Sequence, residues 1–535
     1  YFVHNLTFEF FVLLEGLFEL NVKVKWVCIN KKVYSAVVTY KGKKIHFRCS
    51  HALMPFSLMS LTEGRKLPFP YNTLIPKHPL IYTPKSSDFE NIDDFAQFKS
   101  EFGSANIDYR LTLVKYMEKD VILTVNAVKE FYAILKSFGI KDKVSLTISS
   151  ISVKHFFKSY ETKIQRLISP DIDMFVRKAY FGGRTEVFGN ALETEKVLHF
   201  DYKGMYASVL REKLPCGDIF FVEAVESSLC FSSVLNKFTV PGFYSIKIEQ
   251  STPIPVLPTK RDKLYFNVGI VEGVYWWEEI NLALELGAEL IKISMSVQFS
   301  DYSCDIRKYV DVGFSIREGG KFANKLGKLL INSLYGRLGM SRSADAFVIG
   351  GDRGELAEIV QGHSIFKVAS RSSKHSISNV SIAAAVTSKA RIRLYRGFLT
   401  IEKAGGRMLY TDTDSLIAAF PHGCNVENRE LGDSVRFDTS KSDCVLLQSV
   451  FIRPKTYGYI QVNGVEIIKL KGVRSKEVVF KDLLDGFISR ATLMVSGNQF
   501  LSSNFEYRII NQEKNICLVG TDKRRWDIHM RYTYP

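Results

Sequence analysis

A chain of 535 residues, 46% hydrophobic and 24% charged, has a globular composition and the length of roughly two to four domains. No run of about 18 uncharged apolar residues appears, which argues against a membrane span, and eight scattered Cys without a close pair argue against a zinc site or disulfide framework. The net charge of +16, from 72 basic against 56 acidic residues, sets up a field that favours a polyanion, of which nucleic acid is the commonest.

The apolar start at Tyr1 carries Glu9 and Glu15 and has no basic region, so it does not read as a signal peptide; a beginning without Met reads as a fragment or a processed chain. Short apolar runs and Pro-rich loops (Leu67 to Pro79) then lead to a helix expected over Leu111 to Phe138. There Leu113, Met117, Val121, Leu123, Val128 and Ala133 lie near helical spacing. The polar stretch Lys141 to Ser159 reads as a junction. A turn at Tyr180-Phe181-Gly182-Gly183-Arg184 precedes a strand, Val197 to Phe200, that ends on Asp201. Residues 252–308 read as an α+β insert with a hairpin bounded by Gly269 and Gly273 and a helix from Trp277 to Leu286. Helices over 319–335 and 381–403 frame a second variable stretch. A strand–turn–strand follows at Arg407 to Phe420, and the last hundred residues read as a separate small domain.

Three segments carry chemistry. In Met408-Leu409-Tyr410-Thr411-Asp412-Thr413-Asp414-Ser415-Leu416-Ile417, apolar runs flank a short acidic core, as in two buried strands meeting at a tight turn. An extended backbone would place Asp412 and Asp414 on one side. Carboxylates that close repel, and no Lys or Arg follows within six residues, so a hard divalent ion is the natural partner. A solvated acidic turn is the alternative. The strand ending on Asp201 could add a third carboxylate for two ions, with Tyr206 beneath an incoming sugar. Lys321, Lys325, Lys328, Asn332 and Tyr335 recur at 4-3-4-3 spacing on one helical face, suiting a triphosphate; a solvated Lys face is the bland reading.

Together these segments resemble family B DNA polymerases. Tyr410-Thr411-Asp412-Thr413-Asp414-Ser415 matches the family's Tyr-x-Asp-Thr-Asp-Ser motif, and Lys328 to Gly336 matches Lys-x-x-x-Asn-Ser-x-Tyr-Gly. Asp201 to Ser208 matches Asp-x-x-Ser-Leu-Tyr-Pro-Ser in part, with Gly204, Met205 and Ala207 replacing Ser, Leu and Pro. Tyr180-Phe181-Gly182-Gly183 resembles the template-contacting Tyr-x-Gly-Gly motif, and Lys455-Thr456-Tyr457 the Lys-x-Tyr motif that holds the primer terminus. Ser57-Leu58-Met59-Ser60-Leu61 fits a Ser-Leu-x-x-hydrophobic pattern of the protein-primed members. The stretch Gly269 to Gly287, with Trp276-Trp277-Glu278-Glu279, looks most like the enzymes of mitochondrial linear plasmids.

The resemblance implies an α/β (α+β) multidomain fold: an RNase H-like exonuclease domain, incomplete, followed by a right-hand polymerase. Its divisions would be exonuclease-like 1–145, linker 146–190, palm 191–251 and 381–480, inserts 252–308 and 341–380, fingers 309–340 and thumb 481–535. It implies Asp201 and Asp414 as ligands of two Mg²⁺ (or Mn²⁺) ions with Asp412 supporting, and nucleotide contacts from Lys328, Asn332, Tyr335 and Tyr206. DNA contacts would come from Tyr180, Gly182, Gly183, Lys455, Tyr457, Asn5, Phe8, Ser57 and Leu58. Partners would be a DNA template-primer, dNTPs and a terminal protein, with a monomer working in the mitochondrion. Of the exonuclease acids, Tyr116 and Asp120 match Tyr-x-x-x-Asp, and Glu9 stands where Asp is expected after Asn5 and Phe8. The Asp-x-Glu motif is absent, so two of the four carboxylates are missing and little proofreading is expected. Glu9, a methylene longer, would displace its oxygen by roughly 1 Å in a constellation that tolerates about 0.5 Å. The alternative from another class is a nucleic-acid-binding remnant without catalysis.

Overall fold

The computed structural model describes residues 1–20, 22–29, 32–61, 66–69, 81–89, 92–191, 195–202, 204–340, 345–349, 355–360, 363–369, 377–421, 445–471, 478–503, 506–518, 520, 523–526 and 533–534. Its centre is a seven-stranded sheet. The strands run in the order Glu466–Lys469, Thr456–Gln461, Val445–Arg453, Glu195–Asp201, Ser415–Pro421, Arg407–Asp412 and Thr185–Val187. Every pairing is antiparallel, and the register sets Ser415 opposite Asp201. The 24-residue helix Val380–Lys403 backs this sheet. Its run Ala383-Ala384-Ala385 is wholly buried, and a Cβ on Gly339 would stand 2.7 Å from that of Ala383, so small side chains let the neighbouring helix end approach closely.

A second, four-stranded sheet orders Gly269–Trp276, Gly242–Gln250, Glu289–Ser303 and Leu214–Val222. The hairpin expected at Gly269 to Gly273 is not there. That segment is one strand in unbroken register with Gly242–Gln250, from Gly269 opposite Gln250 to Trp276 opposite Phe243. Gly269 (φ 93°) makes the turn that enters it, and Gly273 lies against the Tyr275 ring. The helix expected next is present as Trp277–Glu285. Because strands from 214–250 and 269–303 alternate in one sheet, the 252–308 stretch is continuous with the fold around it rather than a separate body.

The junction expected over Lys141 to Ser159 is instead mostly helix, Ile148–Ser159, capped by the Thr147 hydroxyl. Its polar residues hide a buried face, Ile148, Ile151, Ser152 and Phe156, at the i, i+3, i+4, i+8 positions of a helix. This face packs on helix Lys321–Leu338, where the Ser152 hydroxyl donates to Leu330 O at 3.0 Å.

Near the N-terminus, helix Leu6–Glu19 buries Leu6, Phe10 and Leu14 against Val24, Trp26, Val33 and Val38. The sheet beneath is ordered Phe2–Val3, Lys43–Cys49, Lys32–Tyr40, Lys23–Ile29, then Asp345–Ile349, His363–Ala369 and Glu355–Val360. Its last three strands come from the second variable stretch, which thus extends the N-terminal sheet. The helix expected over Leu111 to Phe138 spans Tyr109–Ser137. Beyond the central sheet, helix Phe480–Ile488 leads to a long hairpin, Thr492–Ser503 with Glu506–Cys517. Among the described residues, no helix is long and apolar enough to cross a membrane.

Candidate active site

The acidic hairpin forms where expected, but its backbone is not extended at the tip. Thr413 takes a left-handed conformation (φ 68°), and the Asp414 N–H donates to Asp412 O at 2.8 Å. The two acids therefore turn to different partners. Asp412 accepts from Lys455 Nζ through both oxygens at 3.0 Å and from the Thr185 hydroxyl at 2.9 Å. Lys455 enters from a neighbouring strand turn, 43 residues on in the sequence. Asp414 lies within electrostatic reach of Asp201: burial first, then the charge of Asp201, push its carboxyl above the usual aspartate range, while Lys328 pulls the other way.

Among the described residues, no three His, Cys, Asp or Glu side chains group tightly enough to hold a metal. Of the expected acids, Asp201 and Asp414 lie within electrostatic reach of each other, while Asp412, expected in a supporting role, is tied to Lys455. Two neighbouring carboxylates, one raised in pKa by burial and then by the charge of the other, are a donor set suited to a hard cation.

The strand carrying Asp201 ends in a sharp turn. Gly204 sits at φ 69° as the N-cap of the short helix Met205–Val209, so one of the three residues that depart from the family motif occupies a backbone position that favours glycine. The Tyr202 N–H donates to Asp414 O at 2.9 Å and fixes the seam between strand and hairpin. Tyr206, one turn on, stacks on Tyr335 with ring centroids 5.2 Å apart and planes 7° from parallel. Burial pushes Tyr206 up to about 12 and Tyr335 higher still, so both phenols are neutral at pH 7.

Helix Lys321–Leu338 buries Phe322, Leu326, Leu330 and Leu334. Of the three lysines expected to act together, Lys328 stands apart from Lys321 and Lys325. Lys328 is exposed on the side of Asp414. Lys325 donates to Ser60 O at 2.8 Å and lies 5.7 Å from the Phe56 ring, so it docks the Ser57–Leu61 segment onto the helix. Lys321 lines the same cavity as Lys325, together with Met59, Ser60, Arg317 and Asn324. Asn332, half-buried, stays on the Lys328 side by helical spacing. In the 57–61 segment, Ser57 caps the short helix Leu58–Leu61, accepting from Ser60 N at 3.2 Å, and Leu58 is buried.

The Tyr180–Arg184 turn presses directly on the hairpin. A Cβ on Gly183 would stand 2.7 Å from the Thr413 methyl, and Thr413 N donates to Arg184 O at 2.8 Å. Gly183→Ala is therefore expected to push the hairpin tip aside at a cost of about 1–3 kcal/mol. Thr413→Gly in the same chain should relieve both that clash and the left-handed strain. Chemical denaturation of the single and double variants checks this, and a Gly183→Ala chain as stable as wild type would refute it.

Two residues that sequence reading missed hold this turn. Arg391 donates to Phe181 O at 3.0 Å and Gly182 O at 3.1 Å, while Glu279 grips the same guanidinium at 2.7 Å through both oxygens. The only hint was the density of basic residues in 389–396. Tyr180 itself lies against Gly339. Tyr457 belongs to an aromatic ladder with Tyr410 (4.8 Å) and Tyr459 (6.1 Å), and Lys455 N donates to the Tyr410 hydroxyl at 3.1 Å.

The N-terminal acids tell a different story. Tyr116 and Asp120 lie one turn apart on the long helix, and Lys66 supplies the counter-ion: its ammonium is 2.9 Å from Asp120 and 5.3 Å from the Tyr116 ring centre. His4 lies within electrostatic reach of both Lys66 and Asp120. Glu9 sits on helix Leu6–Glu19, its carboxyl raised by burial. Asn5 (φ 66°) and Phe8 start that helix, with Phe8 N donating to Asn5 O.

Comparison with known proteins places these features in context. The family described as DNA polymerase type B, organellar and viral, matches residues 1–405. A probable DNA polymerase of Podospora anserina is 26% identical across 87% of this chain and 42% of its own length. One from Neurospora intermedia is 25% identical across 92% of this chain and 55% of its own. The chain thus spans about half the length of these relatives. Phi29 DNA polymerase complexed with primer-template DNA and incoming nucleotide substrates superposes with a TM-score of 0.66 at 15% identity, covering 96% of this chain and 90% of that one. The fold is therefore the α/β multidomain fold of a type B polymerase.

Proposed function

Because this chain belongs to the organellar and viral type B DNA polymerases, we propose that it extends DNA by template-directed nucleotidyl transfer at Asp201 and Asp414. The observation that carries this reading is the register that sets Ser415 opposite Asp201, with Asp414 in electrostatic reach of both Asp201 and Lys328 and the Tyr206–Tyr335 stack beside them. The reaction is in-line attack of a 3′-hydroxyl on the α-phosphate of a dNTP, releasing pyrophosphate.

Asp201 and Asp414 would hold two Mg²⁺ or Mn²⁺ ions, whose chemistry is to activate the hydroxyl and neutralise the leaving phosphates. Lys328 attracts the triphosphate as a compact point charge. The neutral Tyr206 phenol forms the floor under the sugar and excludes a 2′-hydroxyl, and Tyr335 offers a face for the base. Asn332 completes the nucleotide side. Lys455 neutralises Asp412 and keeps it out of the reacting pair, while Tyr457 stiffens the hairpin from behind. The Tyr180–Gly183 turn carries the template strand, and Asn5, Phe8, Ser57 and Leu58 lie along the single-stranded DNA path.

In this reading 191–251 and 381–480 are palm, 309–340 fingers and 481–535 thumb. The 252–308 stretch meets a terminal protein whose hydroxyl starts synthesis, and 341–380 wraps the template. The genome is a linear plasmid or viral-type element, replicated in the mitochondrion by a monomer. The "organellar and viral" family and the fungal relatives support that setting.

A primer–template with a single-stranded overhang tests the reaction. The chain should add the complementary deoxynucleotide in Mg²⁺ and reject the other three. Failure to add any nucleotide in Mg²⁺ or Mn²⁺ would leave a nucleic-acid-binding remnant as the better account.

Proofreading is expected to be absent from this chain, since Lys66 already neutralises Asp120. A labelled primer should stay intact in Mg²⁺, and Asp120→Ala should change nothing. Robust 3′–5′ degradation abolished by that substitution would refute the reading.

A further inference from the structure

We propose that Arg524, which follows the long C-terminal hairpin, is a positioning residue for the acidic hairpin, acting through the strand Thr185–Val187. Its activity readout rests on the proposed polymerase function; its structural readout does not.

The strand Thr185–Val187 is short and lies at the edge of the central sheet, yet it and Arg184 hold one whole side of the hairpin. Val187 pairs with Tyr410, Glu186 with Thr411 and Thr185 with Asp412, and Arg184 O accepts from Thr413 N. The Thr185 hydroxyl also donates to the Asp412 carboxylate. A three-residue edge strand has little rigidity of its own, so its side chains must be held from behind.

Arg184 and Glu186 point inward and are 2% and 1% exposed. Arg184 Nε donates to Glu186 at 2.7 Å, its Nη1 donates to Pro255 O at 2.7 Å, and its guanidinium lies 3.9 Å from the centre of the Phe266 ring. That pair is already neutral. Arg524 nevertheless brings a second guanidinium into the same buried place. Its Nη1 is 3.4 Å from Glu186, its Nη2 donates to Pro253 O at 3.2 Å, and it stands 5.2 Å from the Phe188 ring centre. Beside it, Lys523 Nζ donates to Thr185 O at 3.1 Å.

Two buried cations around one carboxylate cost desolvation that neutralisation does not require. A second guanidinium there makes poor sense as a stabiliser. It makes good sense as a clamp, because it ties three points together: the edge strand at Glu186, the loop at Pro253 and the C-terminal segment. The strand so held sets the height of Asp412 and, through Thr413, of Asp414.

The test uses the full chain with Arg524→Met, which keeps the length and apolar packing of the side chain, and Arg524→Lys, which keeps the charge. Single-nucleotide incorporation gives kcat and KM for dNTP, binding gives the primer–template Kd, and amide hydrogen exchange reads residues 410–414. For Arg524→Met, kcat should fall by roughly 10–100-fold, since a displacement of about 1 Å costs on that order. KM and Kd should stay within about twofold, exchange should quicken locally at 410–414, and Arg524→Lys should recover part of the loss. Wild-type kcat with unchanged exchange would overturn the proposal. So would exchange that quickens over the whole chain with kcat and KM changing together, which marks a merely structural anchor. If Arg524→Met does not fold, Arg524→Lys decides by the same readings. If the unmodified chain incorporates nothing, the polymerase reading fails and local exchange alone decides: quickened at 410–414 it upholds the clamp, unchanged it refutes it.

Discussion

Asp414→Ala is expected to lower single-turnover incorporation by roughly 10³-fold or more, while primer–template affinity stays near that of wild type. The asymmetry follows from where the charge sits. Asp414 is half-buried and its carboxyl is held above the ordinary range by burial and by Asp201. Removing it relieves repulsion in the free protein, so the fold loses little. The reaction loses one of the two carboxylates on which the proposed ion site depends. DNA affinity comes instead from the basic surface of a chain carrying +16 and should hardly notice. Rapid-quench incorporation beside a filter-binding isotherm measures both quantities. A variant that still incorporates within about tenfold of wild type would remove Asp414 from the centre of the chemistry.

The second large effect lies away from the reacting atoms. Glu279→Ala should destabilise the protein by about 3–5 kcal/mol, because it strands a buried guanidinium. Glu279 is 1% exposed and holds Arg391 through both oxygens at 2.7 Å, with Ser388 donating to it at 2.6 Å. Arg391 in turn carries the Phe181 and Gly182 carbonyls. Replacing both partners, as in Glu279→Leu with Arg391→Met, removes both charges from the interior and should return more than half of the lost stability. It should not return activity, since the turn beneath Thr413 loses its two hydrogen bonds. Guanidinium denaturation of the three variants reads the energies. If Glu279→Ala unfolds within about 1 kcal/mol of wild type, the pair is not the anchor described here.

The parts of this site that could be read from sequence are those whose chemistry is local in the chain. The acidic hairpin, the strand ending on Asp201 and the amphipathic helix around Lys328 each declare themselves within a dozen residues, through alternation or helical spacing around a polar group. Their meeting was legible only through the family resemblance; the structure gives the physical reason, the register that sets Ser415 opposite Asp201. What could not be read were pairings between distant segments. Lys455 on Asp412, Lys66 on Asp120, Lys325 on Ser60 and Glu279 on Arg391 each join residues far apart in sequence, and each changes what a charged residue is available to do. Three lysines on one helical face looked like one phosphate site, but a helix in a packed protein presents that face to several neighbours along its length. The helix Ile148–Ser159 was missed for a simpler reason: serines and lysines between its apolar residues masked a 3.6-residue period.

In the proposed reaction Asp201 and Asp414 form the reacting pair while Lys455 withholds Asp412. Titration of Mn²⁺ into the wild-type chain and its Asp201→Asn, Asp412→Asn and Asp414→Asn variants, followed by electron paramagnetic resonance in the presence of primer–template and dNTP, tests this directly. Binding should be lost in the Asp201 and Asp414 variants and retained in the Asp412 variant. Retention of Mn²⁺ by Asp414→Asn, or its equal loss from Asp412→Asn, would contradict the account.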